Sequence, residues 1–317
     1  MKACLSFFFV ISAAQMSYAS FDLMLLGDNT TAGSQRVQRY DPVNRINLGT
    51  FGQGYFDADI QDIAVDSASQ RAYVIDNTGF VRYFNYNTGD YLGGFTTGTS
   101  FNTIAIDPNN GRITASRGFG GNINPGRVYD ANGTFAFTLS AGTFATSNFV
   151  RRIGDTTYFS WGFSANPPAR RHNATTGALI DSVGGPVSSV FIARSALMSQ
   201  GGRLLGLSTI SGNLDLYSIG TNISGFSGAI GFDRSFGAST NVNVDMVNGH
   251  NDLIYMLNGS SVIAYDTAIN RTLGTQNLTF ASAANIRGMG IVLAPEPGTM
   301  AALGLGLVAL LRRKNRA

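Results

Sequence analysis

Lysine and glutamate are missing from almost the entire chain. The only lysines among 317 residues are Lys2 and Lys314, the only glutamate is Glu296, and all three lie in end segments. Between positions 20 and 294 the charge is carried by 17 Arg and 18 Asp, a net charge of −1. The formal +3 of the whole chain therefore belongs mostly to its ends. A nucleic-acid partner needs a basic footprint on the folded domain, so the charge balance of this body argues against that class. Cysteine is as scarce: Cys4 stands alone, leaving the body without a disulfide, a thiol nucleophile or a thiolate metal site. Losing Lys and Glu also removes two good helix formers. Gly, Asn, Ser and Thr take their place, between short runs rich in Tyr, Phe, Val and Ile. These are the residues of strands and tight turns, and almost no helix is expected in the body.

The two ends read as targeting segments. Lys2, the apolar run Ala3 to Ala14 and the small residues Ser17 and Ala19 fit a signal peptide over residues 1–19, with cleavage before Ser20. The far end has three parts: Pro295, Glu296 and Pro297, then an apolar run from Gly298 to Leu311, then the basic cluster Arg312, Arg313, Lys314 and Arg316. An apolar segment followed at once by positive charge stops in a membrane with its basic end on the cytoplasmic side. Fourteen residues make about 21 Å of helix against about 30 Å of hydrocarbon, a marginal anchor suited to being held briefly. This order of parts resembles the PEP-CTERM sorting signal of Gram-negative bacteria that export polysaccharide. The resemblance covers residues 295–317 and implies recognition by an exosortase after signal peptidase has removed the leader. An ordinary C-terminal membrane anchor is the rival reading.

Between the ends, residues 20–294, one unit recurs. An aromatic-rich strand followed by a short polar step appears at Tyr40-Asp41, Phe84-Asn85, Tyr129-Asp130, His172-Asn173, Tyr217-Ser218 and Tyr265-Asp266. The second members lie 44, 45, 43, 45 and 48 residues apart. A period near 45 with four short strands per unit is that of a β-propeller blade. Six copies predict an all-β, six-bladed propeller; seven blades or a β-sandwich are the alternatives. The stretch from Ile63 to Phe95 also resembles the YVTN-type repeat of propeller proteins, which bears on architecture and not on activity. The first copy lacks an inner strand, and an orphan strand, Ile286 to Leu293, is available to pair with Phe21 to Leu26 and close the ring.

Chemistry-bearing residues are few. Neither His172 nor His250 has the companions of a metal pair or a catalytic triad, and no G-x-S-x-G elbow occurs. His172 is expected inside a blade and His250 in a solvated turn. Asp57, Asp59 and Asp62 fall within six residues, the kind of oxygen cluster that calcium favours, although a solvated loop rim accounts for them as simply. Tyr158, Trp161 and Phe163, beside Pro167, Pro168, Arg170 and Arg171, have the makeup of a sugar-stacking platform; a blade core is the plainer expectation. No cofactor is called for.

The expectation is an exported cell-surface or matrix protein, associated transiently with the inner membrane, with a non-catalytic binding or structural role linked to exopolysaccharide. A propeller hydrolase or lactonase is the alternative; enzymes of that type commonly hold a metal with Glu, Asn and Asp in the central channel, and this body has no Glu. One prediction concerns processing. Intact mass spectrometry of the surface or medium fraction is expected to show a chain starting near Ser20 and ending near Pro295 to Pro297. A dominant species retaining Arg312 to Ala317 would leave only a membrane anchor.

Overall fold

A computed structural model describes residues 22–293 apart from 118–124, 141–148, 162–168, 185–191, 200, 210, 223, 240–243, 251 and 279–284. The proposed leader and the sorting segment therefore lie outside the described residues. The chain forms six sheets in succession. Blade 1 holds β1 (Leu23–Asp28), β2 (Arg36–Asp41) and β3 (Ile46–Phe51), and blade 2 holds β4 (Ile60–Asp66), β5 (Arg71–Asp76), β6 (Phe80–Asn85) and β7 (Tyr91–Thr96). Blade 3 holds β8 (Thr103–Ile106), β9 (Ile113–Ser116), β10 (Gly126–Tyr129) and β11 (Phe135–Leu139). Blade 4 holds β12 (Thr157–Trp161), β13 (Ala169–Asn173) and β14 (Leu179–Val183). Blade 5 holds β15 (Ile192–Met198), β16 (Arg203–Ser208), β17 (Asn213–Asn222) and β18 (Gly225–Ala238). Blade 6 holds β19 (Val244–Asn248), β20 (Leu253–Asn258), β21 (Ser261–Asp266) and β22 (Arg271–Asn277), after which β23 (Ile286–Val292) returns to blade 1. The architecture is the all-β, six-bladed propeller, with no helix among the described residues.

The polar step that marks each copy has a local cause. The side-chain oxygens of Asp41, Asn85, Asn173 and Asp266 each accept the amides two and three residues on, capping the turn that ends the blade's third strand. Such Asx turns need a short side chain with an acceptor at one position, so the residue type recurs with the blade. Ser218 departs from this. β17 runs on to Asn222 and pairs with the long β18, so the fifth copy has no turn at its polar step.

Each strand serves two interfaces, since successive side chains point to opposite faces. In β1, Leu25 packs with Val74 and Phe84 of blade 2, while Met24 and Leu26 pack with Tyr255 and Leu257 of blade 6. Outermost strands read differently. β3 and β7 are largely exposed, and β22 alternates between exposed and half-buried.

Ring closure joins the two ends of the body. β23 lies antiparallel to β1, from Leu23 opposite Val292 to Asp28 opposite Ile286, with a bulge between Leu26 and Gly27. The expected closing partner is thus in place, the first strand beginning at Leu23 where Phe21 was expected. Blade 4 is the irregular one. Its first described strand is β12, and where an inner strand would stand only Val150 bridges Phe159. Because β23 supplies blade 1 with its inner strand and buries Ile286 and Met289, deleting 286–293 is expected to abolish the cooperative melting transition or lower it steeply. Deleting 298–317 from the same chain is expected to leave the melting temperature nearly unchanged. Equal melting temperatures would show that the ring does not depend on this pairing.

Candidate functional site

Five inner strands, β4, β8, β15, β19 and β23, surround the propeller axis. They border a cavity of about 490 Å³ whose walls include Val65, Ile106, Leu197, Val247 and Ile291. Asp62 and Asp245 also border it, yet each is about 95% buried (relative exposure 4% and 5%).

Their carboxyls lie close enough to influence each other's ionisation. Asp62 Oδ1 accepts the Ile63 amide at 2.8 Å, and Oδ2 accepts the Ile104 amide of β8 at 2.9 Å. Asp245 Oδ1 accepts the Met246 amide at 2.8 Å, and Oδ2 accepts the Met289 amide of β23 at 2.7 Å. The Ser195 hydroxyl of β15 is bonded to Asp245 and accepts the Met246 amide at 3.1 Å. Three side chains therefore connect all five inner strands.

Two carboxylates in contact away from water cannot both be ionised without large repulsion, so the pair holds a proton. Burial pushes the Asp62 carboxyl well above the usual carboxylate range, and the neighbouring Asp245 charge adds to the rise. Burial likewise raises Asp245, to about 6.

The space for this contact comes from blade 1. Gly288 of β23 sits between blades 6 and 2 with φ of 73°. A Cβ there would lie 2.5 Å from Asp62 Cα and 2.8 Å from its carbonyl carbon. Any other residue would clash with the Asp62 backbone and force β23 or β4 to shift. The pair was not legible as a site, because its members lie far apart in sequence. Its trace is an Asp at matching positions of the inner strands of copies two and six, with a Gly at that position in the strand between them.

A second polar cluster stands near blade 4. Asp107 Oδ2 accepts Arg151 Nη1 at 2.6 Å and the Tyr158 hydroxyl at 2.7 Å. Burial alone would raise the Asp107 carboxyl, but the bonds from the Asn109 amide, Tyr158 and Arg151 outweigh it and hold it below its ordinary value. The cluster is a closed ion pair joining blades 3 and 4.

The residues singled out from the sequence do not gather into the binding sites considered for them. Asp57, Asp59 and Asp62 do not converge. The Asp57 side chain is 97% exposed and faces Arg82 at 3.5 Å, Asp59 faces Arg287 at 3.9 Å, and Asp62 turns inward to Asp245. Alternation along the strand entry separates them, so the calcium reading is corrected; among the described residues no three carboxylate, His or Cys side chains gather as a metal site. The sugar platform is corrected as well. Trp161 has no exposed surface, packs among Phe159, Leu204 and Ile219, and donates Nε1–H to the Leu205 carbonyl at 2.7 Å. Tyr158 is equally buried, and Phe163 lies outside the described residues. His172 is inside its blade as expected; burial lowers its pKa to about 4, and Nε2 sits 2.8 Å from the Ser140 carbonyl. His250 stands in a turn as expected, its side chain 31% exposed and its Nε2 2.9 Å from Asp22 Oδ1.

Trp161→Ala is therefore expected to lower stability by about 3–5 kcal/mol, the usual loss for a large aromatic deleted from a core. The check is a urea melt. An unchanged midpoint would mean that the ring is not part of the core.

Comparison with known proteins bears on the end of the chain. No curated protein matches it. Residues 293–316 match the family model of the PEP-CTERM protein-sorting motif, beginning one residue after β23 ends. The protein is thus a six-bladed β-propeller followed by a PEP-CTERM sorting motif, which marks it for exosortase sorting, export and targeting to the cell surface.

Proposed function

We propose that the exported propeller works without catalysis, as a binding or structural element of the cell-surface layer associated with exopolysaccharide. The observation that carries this reading is the position of the motif. The match starts at residue 293, and the ring-closing strand ends at Val292. Removal of the tail would release a complete ring. Until then the apolar run 298–311 holds the chain transiently at the inner membrane, with Arg312 to Arg316 on the cytoplasmic side.

The contact with the polysaccharide is assigned to Tyr55 and Tyr91. Their rings stack at 4.6 Å and 22°, with 45% and 40% of each residue exposed. Phe84 packs edge-on against both and holds the pair in place. Rigid, exposed aromatic faces bind sugar rings with little ordering cost. Among the described residues, the acid pair in the cavity is the feature that favours a hydrolase. Against it, all four carboxyl oxygens accept backbone amides and both side chains are about 95% buried, as in a structural pair.

Tyr91→Ala is expected to weaken retention of the mature protein on the host's own exopolysaccharide several-fold while leaving its melting temperature within about 2 °C, as for an exposed substitution. Undiminished retention would remove Tyr91 from the contact. Failure of the unaltered protein to bind, together with lactone hydrolysis above background, would favour the enzyme reading.

A further inference from the structure

The acid pair occupies the place where the ring is closed. β23 is the last strand added to the propeller, and it sits between β19 and β4, the strands that carry Asp245 and Asp62. The pair therefore reaches past β23 and links its two flanking blades, while Asp245 also accepts the Met289 amide of β23 itself. Gly288 provides the clearance. We propose that Asp62 and Asp245 form a proton-dependent latch: with a proton shared between them the two blades are drawn together around β23, and loss of that proton loosens the closing strand and the root of the sorting segment.

The surroundings leave the pair dependent on its own proton. β8 and β19 contribute no other charged side chain. Arg287 of β23 is directed to Asp59, and Asp28 of β1 is bound by Arg36 and Gln38. Arg151, which borders the same cavity, is bound to Asp107. On β15 the Ser195 hydroxyl faces the pair; the side chain of Arg194 lies outside the described residues. Among the described groups there is no cation to neutralise a doubly ionised pair, so loss of the proton sets two negative charges in contact inside the ring.

The sign follows from linkage. Both carboxyls titrate higher in the folded protein than in the unfolded chain, where Asp ionises near pH 3.9. The folded state then binds more protons than the unfolded one above that pH. The stability contributed by the pair is present in full below about pH 3.9 and declines as pH rises through 6 and beyond. His172 runs the other way, since its lowered pKa weakens the fold only as pH falls from about 6.5 toward 4.

Hydrogen exchange of the full chain, purified in a mild detergent and corrected for the intrinsic pH dependence of exchange, tests the latch. A peptide covering β23 is compared with one covering β16, which lies away from the closure. Between pH 5 and pH 8 the protection of β23 is expected to fall about tenfold or more, one pKa unit of linkage being a factor of ten, while β16 holds steady. In Asp245→Asn the fall is expected to shrink, because the second negative charge is gone while the buried Asp62 carboxyl still titrates. With Asp62→Asn and Asp245→Asn combined it is expected to vanish, because neither amide has a proton to lose. Protection of β23 that stays flat to pH 8.5 in the unaltered protein overturns the proposal. So does an equal fall in Asp245→Asn. Should that variant not fold, Asp62→Asn serves as the second form, and the flat or falling profile of the unaltered chain remains decisive by itself.

Discussion

At the centre of the ring two buried acids, one from blade 2 and one from blade 6, face each other. Asp62 and Asp245 accept amides from their own strands and from the next blade, and with Ser195 they connect β15, β19, β23, β4 and β8. Burying a carboxyl is costly unless its oxygens are paired and its charge is removed or balanced. Here the oxygens are paired with backbone N–H groups, and the charge is limited by a shared proton. A network of this kind is cooperative: each bond is made in a low-dielectric setting, and each unmade one leaves an orphaned polar group. The apolar interfaces between blades supply most of the buried surface, but they have no means of choosing which blades meet at the axis. The acid pair has that means, because its bonds span four blades at once.

This arrangement gives the closing strand an unusual position. In an open sheet β23 would be an edge, with unpaired groups exposed to other chains. In the ring it pairs with β1 and is flanked by β19 and β4. The sorting motif begins one residue later. Folding and sorting therefore meet at one short segment. The pairing joins residues more than 250 positions apart, so its loop-closure entropy is met before its contacts form, which makes it a late event in folding. The ring has no complete perimeter until the end of the body has been delivered.

Several features were legible in the sequence for identifiable physical reasons. The Asx turns of Asp41, Asn85, Asn173 and Asp266 need a particular short side chain at one place in each blade, so they write the blade period into the chain. The missing first inner strand and the spare last one were legible by counting. Trp161 misled because an aromatic beside polar residues has the same makeup whether its ring faces solvent or a neighbouring blade, and the indole N–H found its partner at Leu205, on the next blade. The three aspartates misled because closeness along a strand entry does not bring side chains together when alternate residues point to opposite sides.

By itself the sequence determined the class of the protein: a body built of strands and turns, six copies of one unit, and a C-terminal sorting address. Local rules suffice for these, since turn chemistry, strand periodicity and a tripartite tail are each written within a few dozen residues. Only the tertiary structure decided what stands at the axis. Asp62 and Asp245 are 183 positions apart and meet only because the blades between them complete a circle and Gly288 has no side chain to clash with the Asp62 backbone. The physical reason is that a carboxyl's ionisation depends on its burial and on the charge beside it, and closing the ring is what brings both about.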